Sequence, residues 1–300
     1  MALNQISIAK AAAVYSGLIF GLFWIPLRFL ESQNVPGVWP AVLLNGTAAL
    51  FMVPVVVWRW KKFVFGGWRF HVAGLLAGTT LVFYAAGLLY TDVVRIIVLY
   101  YMLPIWGFLL ARIFLGAKIT PIRWIAMGLG FTGLFIIFGS DAGLPLPRNV
   151  GDWMGLASGI IWAIAATMIL ADKTSQVIDY ALYYLIWGGL GTIVVLAFSG
   201  DLASWPDTQV VLDSLIWVIP LALLGIVPAG FATLYAPAFL NPGTVGLLFM
   251  TEISVSVGTA AVFAGEPFGI RETIGVILIS TAGLLEPVRD WHKNRQKERG

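Results

Sequence analysis

Glu252 has the clearest potential for chemistry in this sequence, because it lies inside a long apolar segment. It follows Gly243 by nine residues, which is about 13 Å along a helix at ~1.5 Å per residue. A carboxylate at such a depth in a bilayer is costly and normally faces the protein interior or a wet cavity. Glu252 could receive a substrate ammonium group or a proton, or it could be a neutral acid bonded to a neighbouring carbonyl. The residue type and depth leave both interpretations open.

Aromatic and hydroxyl side chains form a second set of candidate binding groups. Their rings would suit an aromatic ligand through offset or edge-on contacts. Most buried aromatic residues only pack, and packing is the preferred interpretation of Trp24 and Trp162. The hydroxyls beside Glu252 could bind a ligand, although Ser and Thr also serve ordinary contacts between helices. The complete set is Trp24, Tyr84, Tyr100, Tyr101, Trp106, Trp162, Tyr235, Phe249, Thr251 and Ser254.

Helix caps and hinges are expected at polar breaks and prolines. Asp92 and Asn241 are each predicted to cap a following helix, and Asn241 precedes Pro242 at the first helical position. Helix N-termini near a cavity favour a substrate carboxylate, but a plain structural cap is the simpler interpretation. Prolines inside apolar segments kink helices and are hinge candidates, with fixed kinks as the alternative. The chief hinge candidates are Pro26, Pro104, Pro228 and Pro237.

The residue inventory argues against enzymatic chemistry. The sequence has no cysteine and two histidines, His71 and His292, with no nucleophile–histidine or metal-ligand constellation. It has no Gly-rich loop of the Lys-Ser/Thr type that holds nucleotide phosphates. We therefore predict neither enzyme activity, nor a cofactor, nor a metal site.

The composition predicts an all-α integral membrane protein. The chain is 59% hydrophobic and 11% charged, with mean hydropathy +0.90, and typical globular chains are about 25% charged. Apolar runs of about 20 residues recur, whereas the alternating strands of a barrel are missing. The first run is predicted to be a retained helix rather than a signal peptide. The ten predicted spans are 11–30, 38–58, 70–90, 93–114, 122–138, 153–170, 180–198, 215–239, 244–264 and 270–285.

The charged residues predict the orientation of the chain. Most of the 18 Lys and Arg residues fall on the side that holds both termini, which is therefore predicted to be cytoplasmic. The net charge of +3 is explained by basic loops that orient the chain in the membrane, and we do not take it as a sign of nucleic-acid binding. The loop Ser199–Ser214 has three aspartates and no basic residue, as expected outside. Arg28 and Arg95 are predicted to snorkel from the outer ends of their helices.

An internal repeat predicts the architecture. Gly17, Gly21 and Trp24 recur at a spacing of 138 residues, as Gly155, Gly159 and Trp162. Asp92 and Asn241 break apolar runs 149 residues apart. Five spans in each half place the halves in the membrane in opposite directions, an arrangement typical of secondary transporters around a central site. The predicted units are a first repeat at 1–140, a joint at 141–151, a second repeat at 152–287 and a polar cytoplasmic tail at 288–300.

Several motifs together resemble the EamA-type repeat of the drug/metabolite transporter superfamily. They are Leu103-Pro104, Leu115-Gly116, Thr120-Pro121, Thr251-Glu252, Gly265-Glu266-Pro267, Gly275 and Gly283. The sequence departs from the family pattern at Ile253, where proline often follows the glutamate, and at Ala117-Lys118, where an acidic residue is common. These departures weaken any argument that the two halves use these positions identically.

The resemblance implies a ten-helix carrier with a cavity lined by its first, third, fourth, sixth, eighth and ninth helices. The sequence is most similar to bacterial aromatic amino acid exporters. This similarity implies a multi-pass protein of the bacterial inner membrane that exports aromatic, and other neutral, amino acids by alternating access. A monomer is one option for its assembly, and the sequence leaves the oligomeric state open. An exporter of cationic or amphipathic drugs ranks lower, since Glu252 would be the single intramembrane countercharge. A receptor or scaffold that does not transport is the alternative from a different class.

Overall fold

The computed structural model describes residues 2–91, 93–138, 146–263 and 269–299. All regular structure within these ranges is helical. A short 3-10 turn, Asp201–Ala203, follows α10, and a π-helical turn, Ala222–Ile226, separates α11 from α12. The helices are α1 Ala2–Phe20, α2 Trp24–Ser32, α3 Trp39–Trp58, α4 Trp60–Phe65, α5 Trp68–Tyr90, α6 Val93–Tyr100, α7 Leu103–Leu115, α8 Pro121–Phe138, α9 Val150–Ala171, α10 Val177–Ser199, α11 Thr208–Leu221, α12 Val227–Phe239, α13 Pro242–Phe249, α14 Thr251–Phe263 and α15 Ile270–Arg299.

Four of the predicted spans are interrupted rather than continuous. The breaks fall between α1 and α2, between α6 and α7, at the π-helical turn before α12, and between α13 and α14. Pro26, Pro104 and Pro228 each lie in the first turn after a break. Proline is tolerated in a first turn because the backbone N–H groups there have no acceptor within the helix, so the N–H that proline lacks is not missed. Pro237 instead lies inside the continuous helix α12.

Some predicted boundaries were wrong. α4 was not predicted, and α11 begins at Thr208, inside the predicted loop Ser199–Ser214. Asp207 starts α11 early because its carboxylate accepts a hydrogen bond from Gln209 N at 2.7 Å. α15 continues to Arg299, where a frayed tail was expected. Part of the predicted joint, 141–145, lies outside the described residues.

The surface of the helical assembly suits a bilayer. Among the described residues, six helical segments are long and apolar enough to cross a membrane, judged by length and composition. They are Gln5–Ser32, Trp39–Trp58, Trp68–Tyr90, Val150–Ala171, Val177–Ser199 and Thr208–Phe239. Large apolar side chains such as Leu50, Phe198 and Ile216 are exposed, which lipid tolerates and water does not. The described region is therefore that of a multi-pass membrane protein.

Glycine allows the central helices to approach each other closely. α9 packs against α5, α6 and α7, and α1 packs against α12, α13 and α14. A Cβ placed on Gly159 of α9 would lie 2.6 Å from the Tyr100 carbonyl oxygen of α6. At the α8–α15 contact, a Cβ on Gly133 would lie 2.6 Å from Gly275 O, and one on Gly275 would lie 2.7 Å from Gly133 O. Small residues of this kind allow close helix packing in membranes.

Arg28 and Arg95, which were predicted to snorkel, each have a carboxylate partner within the protein. Arg95 binds the fully buried Asp152 through Nη2, at 2.6 Å, and Nε. Arg28 pairs with Glu31 at 2.8 Å and also donates to Leu88 O. Arg95 is therefore held by a buried carboxylate through charge-assisted hydrogen bonds. The side chain of Arg28 is 43% exposed, and its snorkelling stays a prediction.

Candidate functional site

A small cavity lies at the level of the helix interruptions. Phe20, Tyr100 and Phe249, which line it, are the last residues of α1, α6 and α13. The lining comes from α1, α5, α6, α9, α10, α12, α13 and α14. It comprises Ser16, Phe20, Thr80, Leu81, Tyr84, Tyr100, Trp162, Tyr184, Thr233, Phe249 and Glu252.

Glu252 supplies the carboxyl group of the cavity. Its side chain lies in the first turn of α14 and the residue is 5% exposed. The hydroxyl of Tyr84, on α5, donates a hydrogen bond to Glu252 Oε1 at 2.6 Å. Among the described residues that line the cavity, Lys, Arg and His are absent. The cavity therefore offers an acceptor for a cationic or donor group and no fixed positive charge.

Aromatic rings form much of the cavity wall. Tyr84 and Tyr100 lie 4.9 Å apart between ring centroids. Trp162 contacts Phe249 at 5.7 Å and Tyr184 at 6.2 Å, the latter edge to face. Trp162 is 1% exposed, and its Nε1 has no hydrogen-bond partner among the residues described. The wall thus combines apolar ring faces with one unused N–H donor.

Hydroxyl groups complete the polar lining. Ser16 of α1 and Thr233 of α12 form a hydrogen bond with each other across the cavity edge. Thr233 also donates to Ala229 O at 2.8 Å, a local bond within its own helix. Thr80 of α5 lies 3.4 Å from the Ser158 carbonyl oxygen of α9. These contacts join helices of the two halves of the chain at the cavity.

The cavity is small in this conformation. Its volume is about 30 Å³, which holds about two water molecules. Small-molecule pockets typically measure about 300–1,000 Å³. A ligand the size of an amino acid therefore requires the surrounding helices to separate.

Five of the predicted binding residues meet at this cavity: Tyr84, Tyr100, Trp162, Phe249 and Glu252. The remaining predicted residues do not line it. Trp24 donates to Thr259, and Tyr101 donates to Phe249 O at 2.8 Å. The Trp106 indole nitrogen is buried, with no partner in the part of the chain described.

The other three predicted residues make helix contacts. Tyr235 packs on Phe239 at 4.9 Å. Thr251 bonds to Leu248 O within its own chain segment, and Ser254 faces Ser280 of α15.

Six lining residues were not predicted: Ser16, Phe20, Thr80, Leu81, Tyr184 and Thr233. A weak signal existed for some of them, because Ser16 and Phe20, like Thr80 and Tyr84, are four residues apart on one helix face. Nothing in the local sequence distinguishes Tyr184 and Thr233 from other residues of their apolar segments.

Of the two predicted caps, Asn241 lies in the described part of the chain and does not line the cavity. Asn241 is the N-cap of α13, and its side-chain oxygen accepts from Gly243 N at 3.0 Å. Asp92 lies outside the described residues.

Comparison with known proteins relates part of the chain to a transporter family. Residues 7–139, less than half of the 300 residues, match the EamA-like transporter family. The chain is a multi-pass membrane protein whose first part is similar to EamA-like transporters.

Two curated bacterial relatives are transporters. The uncharacterized transporter YxxF of Bacillus subtilis (strain 168) is 24% identical over 208 residues, which cover 66% of this chain and 63% of that protein. The riboflavin transporter of Rhizobium johnstonii (strain DSM 114642 / LMG 32736 / 3841) is 30% identical over 171 residues, which cover 54% of this chain and 53% of that protein. The matches therefore span less than two thirds of either relative.

The fold also occurs in a solved crystal structure. That structure superposes with a TM-score of 0.71 at 13% sequence identity, over 93% of this chain and 96% of the other. At this identity the similarity establishes the fold alone.

Proposed function

We propose that the protein is a secondary transporter that moves aromatic amino acids, and other small neutral solutes with an aromatic ring, by alternating access. The observation that carries this proposal is the small central cavity, which combines aromatic walls with the buried carboxyl group of Glu252. An aromatic side chain would pack edge-on or offset against Tyr100, Trp162 and Phe249. The substrate ammonium group would bind Glu252, the lining group able to balance its charge.

The mechanism rests on ten spans arranged as two inverted repeats, and paired contacts support that arrangement. Gly17 of α1 and Gly21, in the break that follows α1, pack on α14, while their counterparts Gly155 and Gly159 of α9 pack on α6. The interruptions after Tyr100 and Phe249 are also separated by 149 residues, the spacing found in the sequence. Two such halves can rock about a shared site and open it to either side in turn.

We place the protein in the bacterial inner membrane with both termini in the cytoplasm. The support is the distribution of Lys and Arg among the connecting segments. Export is the direction that the sequence resemblance implies, and the solute gradient decides the direction of net flux in a carrier.

A flavin is the second candidate substrate. The riboflavin transporter of Rhizobium johnstonii is a relative, and riboflavin has a broad aromatic ring system without a carboxylate. The absence of Lys and Arg from the described cavity lining favours such a neutral solute.

Counterflow in liposomes tests the proposal. Purified protein is reconstituted with internal unlabelled phenylalanine and external labelled phenylalanine, with no ion gradient. We expect accumulation above protein-free liposomes, suppressed by tryptophan and not by tetraphenylphosphonium. Suppression by riboflavin but not by tryptophan would assign the cavity to flavins, and absence of accumulation would contradict the aromatic amino acid assignment.

A matched pair of variants tests the role of the buried acid. Glu252→Gln should lower counterflow at least tenfold, because it removes the charge that binds the ammonium group while retaining an acceptor for Tyr84. Glu31→Gln changes an exposed acid that pairs with Arg28 and should leave counterflow unchanged. Equal counterflow activity of the two variants would show that Glu252 does not bind the substrate.

A further inference from the structure

The indole N–H of Trp162 is a buried donor without a protein acceptor. Trp162 is 1% exposed, it lines the cavity, and no acceptor for Nε1 exists within the described residues. Buried polar groups are nearly always paired, and an unpaired donor is costly in an apolar site. A donor left unpaired at a cavity wall is therefore a candidate for ligand binding.

Its counterpart in the first half of the chain behaves differently. Trp24 stands at the equivalent position, 138 residues earlier, and its Nε1 donates to Thr259 Oγ1 at 3.3 Å. Trp24 is half-buried and does not line the cavity. The two tryptophans share a place in the repeat, yet the Trp24 N–H bonds to a neighbouring helix, whereas the N–H of Trp162, a residue that lines the cavity, has no partner among the described residues.

Packing limits the orientation of the Trp162 ring. It contacts Phe249 of α13 and Tyr184 of α10, both of which line the same cavity and are themselves buried. A ring held on two sides presents its N–H with little loss of conformational freedom on binding.

We infer that Trp162 Nε1–H donates a hydrogen bond to an acceptor oxygen of the substrate, while Glu252 binds its amine. This inference rests on the proposed function and narrows it. Since the described lining contains no Lys or Arg, a substrate carboxylate or carbonyl oxygen must use neutral donors, and the indole N–H is available. The selected class is aromatic solutes that carry both an amine and an acceptor oxygen, which excludes simple aromatic amines as good substrates.

A ligand and variant cycle tests the inference. Binding of phenylalanine and of phenethylamine, which lacks the carboxylate, is measured for the purified wild-type protein and for Trp162→Phe, which keeps an aromatic ring but loses the N–H. We expect Trp162→Phe to weaken phenylalanine binding about tenfold, the loss of one good hydrogen bond to a charged acceptor, and to change phenethylamine binding less than twofold. Trp24→Phe is the matched control and should weaken neither ligand selectively.

A second variant distinguishes loss of the N–H donor from a folding defect. Trp162→His places its Nε2 close to the position of the indole nitrogen and should recover part of the preference for phenylalanine over phenethylamine. Thermal unfolding midpoints of all variants show whether each is folded.

The possible results separate the inference from the proposed function. Equal weakening of both ligands by Trp162→Phe, or no weakening of either, would overturn the role of the N–H while leaving the carrier intact. If the wild-type protein binds neither ligand, the aromatic amino acid assignment fails and this inference fails with it.

Discussion

Replacing Asp152 by Asn should destabilise the protein by about 3 kcal/mol. Asp152 is fully buried, and its carboxylate accepts from Arg95, from Thr91 at 2.7 Å and from the Arg148 backbone N–H at 2.9 Å. Asparagine keeps the shape and removes the charge, so Arg95 loses its anionic partner. Breaking a buried ion pair by removing one member costs about 3–5 kcal/mol. The lower end of this range applies because the Arg95 side chain is 13% exposed and also donates to Leu146 O.

The assay is loss of helical circular dichroism as SDS is titrated into mixed micelles. The control is Glu31→Gln, whose carboxylate pairs with Arg28 on the exposed surface and should contribute at most about 1 kcal/mol. Adding Arg95→Met to Asp152→Asn should recover part of the loss, because it removes the cation left without its anionic partner, while the asparagine oxygen can still accept from Thr91 or Arg148. If Asp152→Asn costs no more than the exposed control, the pair is not buried as described and this reasoning fails.

Three further predictions use the same unfolding measurement. Gly159→Ala should lower the free energy of unfolding by about 1–3 kcal/mol, because the added Cβ would lie 2.6 Å from Tyr100 O. Its control is Gly128→Ala, where the added Cβ meets no heavy atom of the described residues within 4 Å. That change should be neutral or should stabilise the protein by up to about 1 kcal/mol. Equal effects of the two glycine changes would refute the close α6–α9 contact. Asn241→Ala should cost about 1 kcal/mol through loss of its cap, and an unchanged midpoint would show that water replaces it. Asn45→Leu should stabilise by about 1 kcal/mol, since the Asn45 amide is buried with no partner in the described region; destabilisation would reveal a hydrogen bond at that amide.

Hydrophobic length predicted where helices lie, because each crossing needs a long apolar run and polar residues mark its ends. The depth of Glu252 was visible for the same reason. The interruptions of the helices could not be predicted from the sequence, because a single 3-10 or π turn leaves the apolar pattern intact. Where such a turn forms depends on how the neighbouring helices pack.

Long-range pairs escaped prediction for a different reason. Arg95 and Asp152 are 57 residues apart, and Ser16 and Thr233 are 217 apart, so only the tertiary fold brings them together. Glu252 was found in advance because a carboxylate is unusual at its depth, and Tyr84, Tyr100, Trp162 and Phe249 because their rings suit an aromatic ligand. Hydroxyl residues are common in membrane helices and carry no such signal.

The most direct test of transport through this cavity is to lock it closed. The chain has no cysteine, so Ser16→Cys with Thr233→Cys places one thiol pair where the two hydroxyls meet across α1 and α12. Ser254→Cys with Ser280→Cys, where the hydroxyl oxygens lie 3.3 Å apart between α14 and α15, is the matched control outside the cavity. Oxidation should abolish phenylalanine counterflow by the first variant, reduction should restore it, and the control should remain active. Full counterflow by the oxidised Ser16–Thr233 variant would show that substrate does not pass through this cavity.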